Sequence, residues 1–205
     1  DNIYFAQAAL KIGSKTFTEN LDKLGFYETL EFPLSLAQSK YSSNENKTIE
    51  TEGKLADSGF GQGNILVNPI HIASIYSSFA NNGNMIRPIL ETSEEKGQIW
   101  KQNVFTQEAA ETIKQDLIQV VENPAGTAND MKVNGLTIAG KTGTAELKKD
   151  KNDKESGTLG WFDCFTIDNP SGEDLLVISM VENVQNNSDG GSHYLIQKIK
   201  QVLFT

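Results

Sequence analysis

The sequence predicts an α+β fold in which helices pack on an antiparallel sheet. Three observations predict this class. The first 122 positions hold most of the segments with apolar residues at helical spacing, and residues 136–181 alternate apolar and polar residues between turn-rich links. A return to helical spacing in the last residues supplies a covering helix.

Two short helices are predicted at the start of the chain. The first ends at Gly13, a residue suited to a left-handed C-terminal cap, and the second is followed by Gly25. Residues 38–53 are polar and rich in turn formers, so we expect them to form an exposed excursion. The inward residues are expected to be Ile3, Phe5, Ala8, Ala9 and Ile12 in the first helix and Phe17, Leu21 and Leu24 in the second.

Two stronger helices follow. Asn68 as N-cap and Pro69 at the first helical position predict a helix that ends before Gly83, and residues 106–122 predict another that Asn123-Pro124 stops. The glycines of SGFGQG (58–63) predict unusual backbone conformations or a close approach. The inward residues are expected to be Ile72, Ile75, Tyr76 and Phe79, and then Ala109, Ile113, Leu117, Val120 and Val121.

Three strands are predicted after these helices, at 136–147, 161–167 and 175–181. The charged run KKDKNDKE (148–155) is expected to be a solvated connector, and DNPSGE a hairpin link. The final helix is predicted for 192–204, with Ser192 as its cap and with Leu195, Ile199 and Val202 inward.

Composition excludes several classes of function. A chain of 205 residues with net charge −9 repels phosphate backbones and anionic lipid, so we expect no nucleic-acid partner. Cys164 lies in an apolar run and is expected to be a buried thiol. With only His71 and His193 besides, we expect no metal site and no cofactor, and we expect His71 to be a packing residue. No stretch of 18 apolar residues occurs, so a membrane anchor is expected to lie outside these residues.

The stretch GLTIAGKTGTAEL (135–147) fits two different site motifs. Residues 135–142 fit the phosphate-cradling loop of nucleotide hydrolases, and residues 141–143 fit the K-T-G element of penicillin-interacting enzymes. A phosphate loop needs a buried strand before it and a helix that begins at the Lys-Thr pair. The polar NDMKVN before it and the poor helix openers after it disfavour this alternative, although the acid that ends LLVISMVE fits a nucleotide site.

The K-T-G interpretation explains the residue types by acyl-transfer chemistry. A peptide that ends in a free carboxylate needs a cation and hydroxyls to hold it, and its tetrahedral intermediate needs backbone N–H donors. Lys141 is the candidate cation, and Thr142 and Thr144 are the candidate hydroxyls. Gly143 removes a side chain where substrate would lie against the strand, so a Cβ there is expected to obstruct binding.

Several stretches of the chain form an ordered set. They are DNIYFAQ, ADSGFGQGNILVNPIHIASIYSSFANNG, AGTA, IAGKTGTAE and GWF. Together they resemble the transpeptidase domain of class B penicillin-binding proteins over most of the chain, and their residues are most similar to the low-affinity, methicillin-resistance type of Gram-positive bacteria. The resemblance implies a β-lactamase/transpeptidase-like fold whose N-terminal part is missing, so that residues 1–205 are its C-terminal portion.

The resemblance also implies roles for individual residues. Asn2 matches the asparagine of the S-x-N element, which is expected to bind the substrate's amide side near the catalytic lysine. Lys141, Thr142 and Gly143 match K-T-G. Thr144 matches the position whose backbone N–H forms half of the oxyanion hole and whose hydroxyl faces the carboxylate. Asn2, Lys141 and Thr144 are therefore predicted catalytic residues, and Thr142, Gly143 and Thr144 are predicted to bind substrate.

The nucleophilic serine of the family's S-x-x-K element has no credible match here. Ser93-Glu94-Glu95-Lys96 fits the pattern, but it lies in a polar turn and in the wrong order relative to Asn2. A second S-x-N match, at 42–44, lies in the polar excursion. We therefore expect the nucleophile to lie upstream of these residues, and we expect this chain alone to be inactive.

The resemblance implies a serine-type D,D-transpeptidase that cross-links peptidoglycan stem peptides and is a target of β-lactams. Its expected partners are the stem peptide, β-lactams, the missing part of the same domain and other cell-wall synthesis proteins. The expected location is the extracytoplasmic face of the bacterial membrane. Two alternatives remain: a β-lactam sensor that binds the drug covalently without turnover, and a scaffold that kept the fold and lost the chemistry.

Overall fold

The computed structural model describes residues 1–147, 157–170, 172–186 and 191–203. The predicted connector at 148–155 lies outside these ranges. The described chain divides into two compact units. Unit 1 comprises residues 1–75 and 85–104, and unit 2 comprises residues 76–84 and 105–205.

Unit 1 is built from helices and a short two-stranded ribbon. Both predicted N-terminal helices form, a third that the sequence did not predict follows, and Asn68 caps the fourth by accepting a hydrogen bond from the Ile70 N–H at 2.9 Å. The core is centred on Phe26, Tyr41 and Leu55. The elements are α1 (Asn2–Ile12), α2 (Ser14–Lys23), α3 (Glu52–Ser58), the first half of α4 (Pro69–Ala80), β1 (Met85–Ile86) and β2 (Ile99–Lys101).

The predicted exposed excursion at 38–53 is confirmed for most of its residues, but Ser39, Tyr41, Ser42 and Ile49 are buried. Tyr41 and Ile49, two apolar residues in this polar stretch, lie in the core of unit 1 and anchor the loop. Ser42 is buried as well, and its hydroxyl donates to the Thr48 carbonyl at 2.8 Å. The polar side chains therefore satisfy the loop's own backbone, which lets the segment cover the core of the unit.

The apolar stripe predicted for α1 is largely exposed. Ala9 is buried, but Ile3 and Phe5 keep 72% and 51% of their surface accessible. Gly13 does end the helix with a positive φ of 81°, yet its ψ of 151° is outside the left-handed helical region that we predicted. Gly59 confirms the predicted close approach, because a Cβ there would lie 2.6 Å from the Phe5 carbonyl oxygen.

Unit 2 contains a three-stranded antiparallel sheet in the order β3–β4–β5, as the sequence predicts. Helices lie on both faces of this sheet. The α+β class and the antiparallel sheet with packed helices are thus confirmed. The elements are α5 (Gln107–Glu122), β3 (Thr137–Glu146), β4 (Thr158–Ile167), β5 (Leu176–Val181) and α6 (His193–Leu203).

The two faces of the sheet bury separate clusters. On one face, Ile138 and Phe162 pack against Ile196 of α6. On the other, Ala139 and Phe165 pack against Leu117 of α5 and the end of α4. Three predicted inward residues are wrong. Ala109 and Ile113 of α5 are exposed, whereas Ala110 is buried, and Val202 is exposed near the end of α6.

Candidate active site

The K-T-G residues lie inside strand β3. The strand continues without interruption from Thr137 to Glu146, so no helix begins at the Lys-Thr pair. A phosphate loop requires that helix, because its N-terminal N–H groups bind the phosphates. The nucleotide alternative is therefore excluded, and the strand environment expected of a K-T-G element is confirmed.

Strand β3 is at one edge of the three-stranded sheet, and its side chains alternate between the two faces. Thr142 and Thr144 share the face that packs against α6, whereas Lys141 and Gly143 share the opposite face. The two predicted hydroxyls are consequently neighbours at a sheet edge. This arrangement suits a ligand that lies along the strand.

Lys141 brings its charge to the main chain of the next residue. Its ammonium donates a hydrogen bond to the Thr142 carbonyl at 2.6 Å. The side chain reaches solvent, yet the surrounding protein partly desolvates the ammonium and lowers the pKa of Lys141. The nearby Asp163 carboxylate acts in the opposite direction and raises that pKa.

The Thr142 hydroxyl is held by a residue to which the sequence assigned no role. Thr127 lies in the AGTA stretch, and its hydroxyl lies 2.8 Å from the Thr142 hydroxyl. The turn that carries Thr127 is tied to α5, because the Ala128 N–H donates to the Val120 carbonyl at 3.1 Å. A Cβ on Gly126 would lie 2.2 Å from that same carbonyl oxygen, so only glycine allows this approach.

Gly143 faces its cross-strand partner Trp161. A Cβ on Gly143 would lie 3.2 Å from the Trp161 Cβ, which is tighter than most real contacts. The structure thus adds a second reason for glycine besides the predicted obstruction of substrate. The GWF stretch supplies the residue that Gly143 accommodates.

Thr144 borders the segment that leads into α6. Its side-chain oxygen would lie 3.9 Å from a Cβ built on Gly191, and Gly191 in turn approaches Gly160 on β4. The hydroxyl predicted to face the carboxylate is therefore next to a backbone segment that is described only from Gly191 onward. The position also pairs with Gly160 across the sheet.

Asp163 is a buried acid beside the site, and the sequence did not predict a role for it. It pairs with Lys141 across the sheet and retains 7% of its surface. Burial raises the pKa of Asp163 to about 7, while the Ser179 N–H and the Lys141 charge oppose that rise. The signal in the sequence was an acid in the middle of the apolar run WFDCF.

The remaining candidate residues lie elsewhere in the chain. Asn2 is the exposed first residue of α1 in unit 1, whereas the K-T-G strand belongs to unit 2. Ser93 is exposed in a turn between β1 and β2, and its hydroxyl contacts the Glu91 carboxylate at 3.3 Å. Ser42 is held inside its own loop. Ser93 does not occupy the helix start that would activate a nucleophile, which agrees with its prediction.

His71 and Cys164 are packing residues, as predicted. His71 is buried in unit 1 with hydrogen bonds to the Ser39 hydroxyl and the Leu24 carbonyl. Burial raises the pKa of the Cys164 thiol to about 12, which keeps it protonated and unreactive.

Within the described ranges no three His, Cys, Asp or Glu side chains are placed to hold a metal ion. No helix in those ranges is long and apolar enough to cross a bilayer.

The chain belongs to the family of penicillin binding protein transpeptidase domains, which matches residues 1–201. Penicillin-binding protein 3 of Bacillus subtilis is 42% identical over 204 residues, which are 98% of this chain and 29% of that protein. Stage V sporulation protein D of the same organism is 31% identical over 139 residues, covering 62% of this chain and 21% of that protein. The chain thus spans less than a third of the length of these curated relatives.

Solved structures show the same fold. Penicillin-binding protein A of M. tuberculosis, solved as a ceftriaxone acyl-enzyme complex, superposes with a TM-score of 0.77 at 21% identity, over 98% of this chain and 44% of that one. A peptidoglycan glycosyltransferase from Burkholderia ambifaria superposes with a TM-score of 0.70 at 20% identity, over 99% of this chain and 61% of that one. The predicted transpeptidase-like fold is confirmed.

Proposed function

We propose that this chain is the C-terminal portion of a D,D-transpeptidase domain that cross-links peptidoglycan stem peptides through a serine acyl-enzyme. The observation that supports this proposal is the arrangement of side chains along the edge strand β3. There the Thr142 and Thr144 hydroxyls share one face, and the Lys141 ammonium reaches the Thr142 carbonyl. Two hydroxyls and a cation beside an edge strand form a receptor for a peptide that ends in a carboxylate.

In the proposed reaction the chain binds and orients, and a serine from outside residues 1–205 supplies the covalent bond. The serine oxygen attacks the substrate's penultimate carbonyl carbon, its proton passes to the lysine of S-x-x-K, and the terminal residue leaves as an amine. The amine of a second stem peptide then breaks the ester. Lys141, Thr142 and Thr144 hold the terminal carboxylate, the Thr144 N–H donates to the oxyanion, and Asn2 binds the amide side of the substrate.

Membership of the family and the 42% identity to a penicillin-binding protein support β-lactams as ligands of the whole protein. We further propose the low-affinity, resistance-type specificity and an extracytoplasmic location with the anchor outside this chain. The edge position of β5, at the opposite side of the sheet from β3, also supports association with the missing part of the domain, since an edge strand offers main-chain groups to a partner. Other cell-wall synthesis proteins are proposed as further partners.

Labelling with a fluorescent penicillin tests the proposal. The intact protein that contains this chain should form a covalent adduct on a serine outside residues 1–205, and the chain alone should form none. Ser93→Ala in the intact protein serves as the control and should label like wild type. An adduct mapped to Ser93 would overturn the proposed site. A protein that acylates but forms no cross-linked product from stem peptides would be the covalent sensor instead.

A further inference from the structure

Lys141 and Asp163 are paired across the sheet on the same face. They are direct partners in the antiparallel register of β3 and β4, and such partners point to the same side. The neighbouring pair on this face, Ala139 and Phe165, is packed against α5. Asp163 therefore lies on β4, directly across from the candidate carboxylate-binding lysine on β3. It is next to the apolar pair that packs against α5.

The surroundings of Asp163 provide little other support for a carboxylate. From the part of the chain that the structure describes, one hydrogen bond reaches it, from the Ser179 N–H on β5 at 3.4 Å, which is long for such a bond. The Asp163 charge acts on Tyr76 of α4 and on Cys164, which follows Asp163 on β4. Burial raises the pKa of both Tyr76 and Cys164, so neither carries charge near neutral pH.

A buried carboxylate in this place needs a compensating charge. An apolar side chain would satisfy the packing of β4 without any desolvation cost, whereas a carboxylate is costly unless a cation offsets it. Among the described residues, Lys141 is the cation that acts on Asp163. The attraction is mutual, because Asp163 favours the charged form of Lys141 against the partial desolvation of its ammonium.

We propose that Asp163 is a positioning residue for the carboxylate-binding site: its buried carboxylate, in register with Lys141, keeps the Lys141 ammonium charged. This inference rests on the proposed function, because it assigns Lys141 the role of holding the substrate's carboxylate. Asp163 itself contacts no substrate. Its effect is to extend the pH range in which the lysine binds an anion.

The sign of the effect follows from the two charges. Loss of the Asp163 carboxylate leaves only desolvation acting on Lys141, so the lysine loses its proton at lower pH. The rate of acylation by a ligand with a free carboxylate falls at alkaline pH as Lys141 loses its proton. Without the Asp163 carboxylate, this fall should begin at a lower pH. A ligand whose carboxylate is esterified does not need the ammonium, so its rate should keep its pH dependence.

The test measures the acylation rate of the intact protein from pH 6 to pH 10, with a fluorescent penicillin and with its methyl ester. Asp163→Asn and Asp163→Ser both remove the charge, and the smaller serine provides a second variant if the amide disturbs folding. Asp116→Asn, on the exposed surface of α5, is the control with the same change in net charge. The alkaline midpoint for the penicillin should fall by about one pH unit in both Asp163 variants, and it should stay in place in the control.

Two outcomes would overturn the inference while leaving the proposed function intact. One is an unchanged alkaline midpoint in both Asp163 variants, and the other is an equal shift for the penicillin and its ester, which indicates a general structural role. A wild-type protein that neither compound acylates would instead overturn the proposed function, and this inference with it.

Discussion

Two buried ionisable side chains, one in each unit, differ in how their surroundings satisfy them. In unit 1, both ring nitrogens of His71 have partners, Ser39 at 2.7 Å and the Leu24 carbonyl at 2.8 Å. In unit 2, Asp163 has one long hydrogen bond and a charged neighbour in the candidate site. A fully partnered buried group stabilises a fold, whereas a poorly partnered one beside a site lysine indicates function.

The His71 contacts also define its protonation. The Leu24 carbonyl only accepts, so Nε2 must donate, and a neutral ring then leaves Nδ1 as the acceptor of the Ser39 hydroxyl. The Ser39 oxygen accepts a hydrogen bond from the Asn68 N–H in turn. Ser39 therefore links the N-cap of α4 to His71 in the first turn of that helix. Burial lowers the pKa of His71 and keeps the ring in this neutral form.

The largest expected effect is on the pH dependence of stability, through Asp163. Its pKa rises from 3.8 to about 7 on folding, so between these values the folded state binds the proton more tightly. Stability should therefore decrease as pH rises from 4 to 7, by up to roughly 4 kcal/mol. Urea unfolding of the transpeptidase domain at pH 5 and pH 8 measures this, and Asp163→Asn should remove most of the difference. A variant as pH-dependent as wild type would contradict the assignment.

Replacement of the site lysine should affect chemistry and leave the fold intact. Lys141→Met removes the cation beside the Thr142 carbonyl, and acylation by penicillin should slow about 100-fold, as on loss of one electrostatic contact to the reacting ligand. The rate constant of labelling in the intact protein measures the effect, with exposed Lys198→Met on α6 as the matched control. Equal rates for the two variants would show that Lys141 lies outside the binding site.

His71 should show the opposite behaviour. His71→Ala leaves a cavity and removes two buried hydrogen bonds, so the domain should lose roughly 2–4 kcal/mol of stability. Because burial lowers the pKa of His71, the contribution of this histidine to stability should decrease as pH falls below 6.5, when the unfolded state gains the proton. The difference in stability between wild type and His71→Ala should therefore be smaller at pH 5.5 than at pH 7.5, whatever Asp163 contributes to both proteins. Thermal unfolding at pH 5.5 and pH 7.5 measures both effects. The exposed His193→Ala is the control and should change neither.

The smallest expected effect is at Thr127. Thr127→Val removes the hydroxyl that contacts Thr142 and keeps the shape of the side chain, so acylation should slow by about three- to tenfold. Thr127→Ser keeps the hydroxyl and should restore most of the rate. Equal rates for the valine and serine variants would mean that the contact between the two hydroxyls does not orient Thr142.

Much of unit 2 could be predicted because its signals are local. The alternation around Ile138 and the turn formers between strands specify β3, β4 and β5 without knowledge of distant contacts. The burial of Tyr41 and Ile49 within the exposed segment 38–53 could not be predicted, since it depends on contact with a core that other segments form. The spacing of apolar residues in α1 predicted the helix correctly. It did not predict that most of those residues are exposed in the structure.

The sequence predicted the site residues on strand β3, but it did not predict the neighbouring residues that contact them, Thr127 and Asp163. Lys141, Thr142 and Thr144 form one continuous motif, which a sequence displays directly. The contact of Thr127 with Thr142 depends on how the AGTA turn packs against α5, and the pairing of Asp163 with Lys141 depends on register across a hairpin. These relations are properties of the folded backbone.

We propose that the edge of β3 holds the terminal carboxylate of an acylating ligand, and a crystal structure of the intact protein after reaction with penicillin tests this. The ligand should be bound as an ester to a serine outside residues 1–205. Its carboxylate should lie within hydrogen-bond distance of the Thr142 or Thr144 hydroxyl. A ligand bonded to Ser93, or a carboxylate bound away from β3, would contradict this proposal.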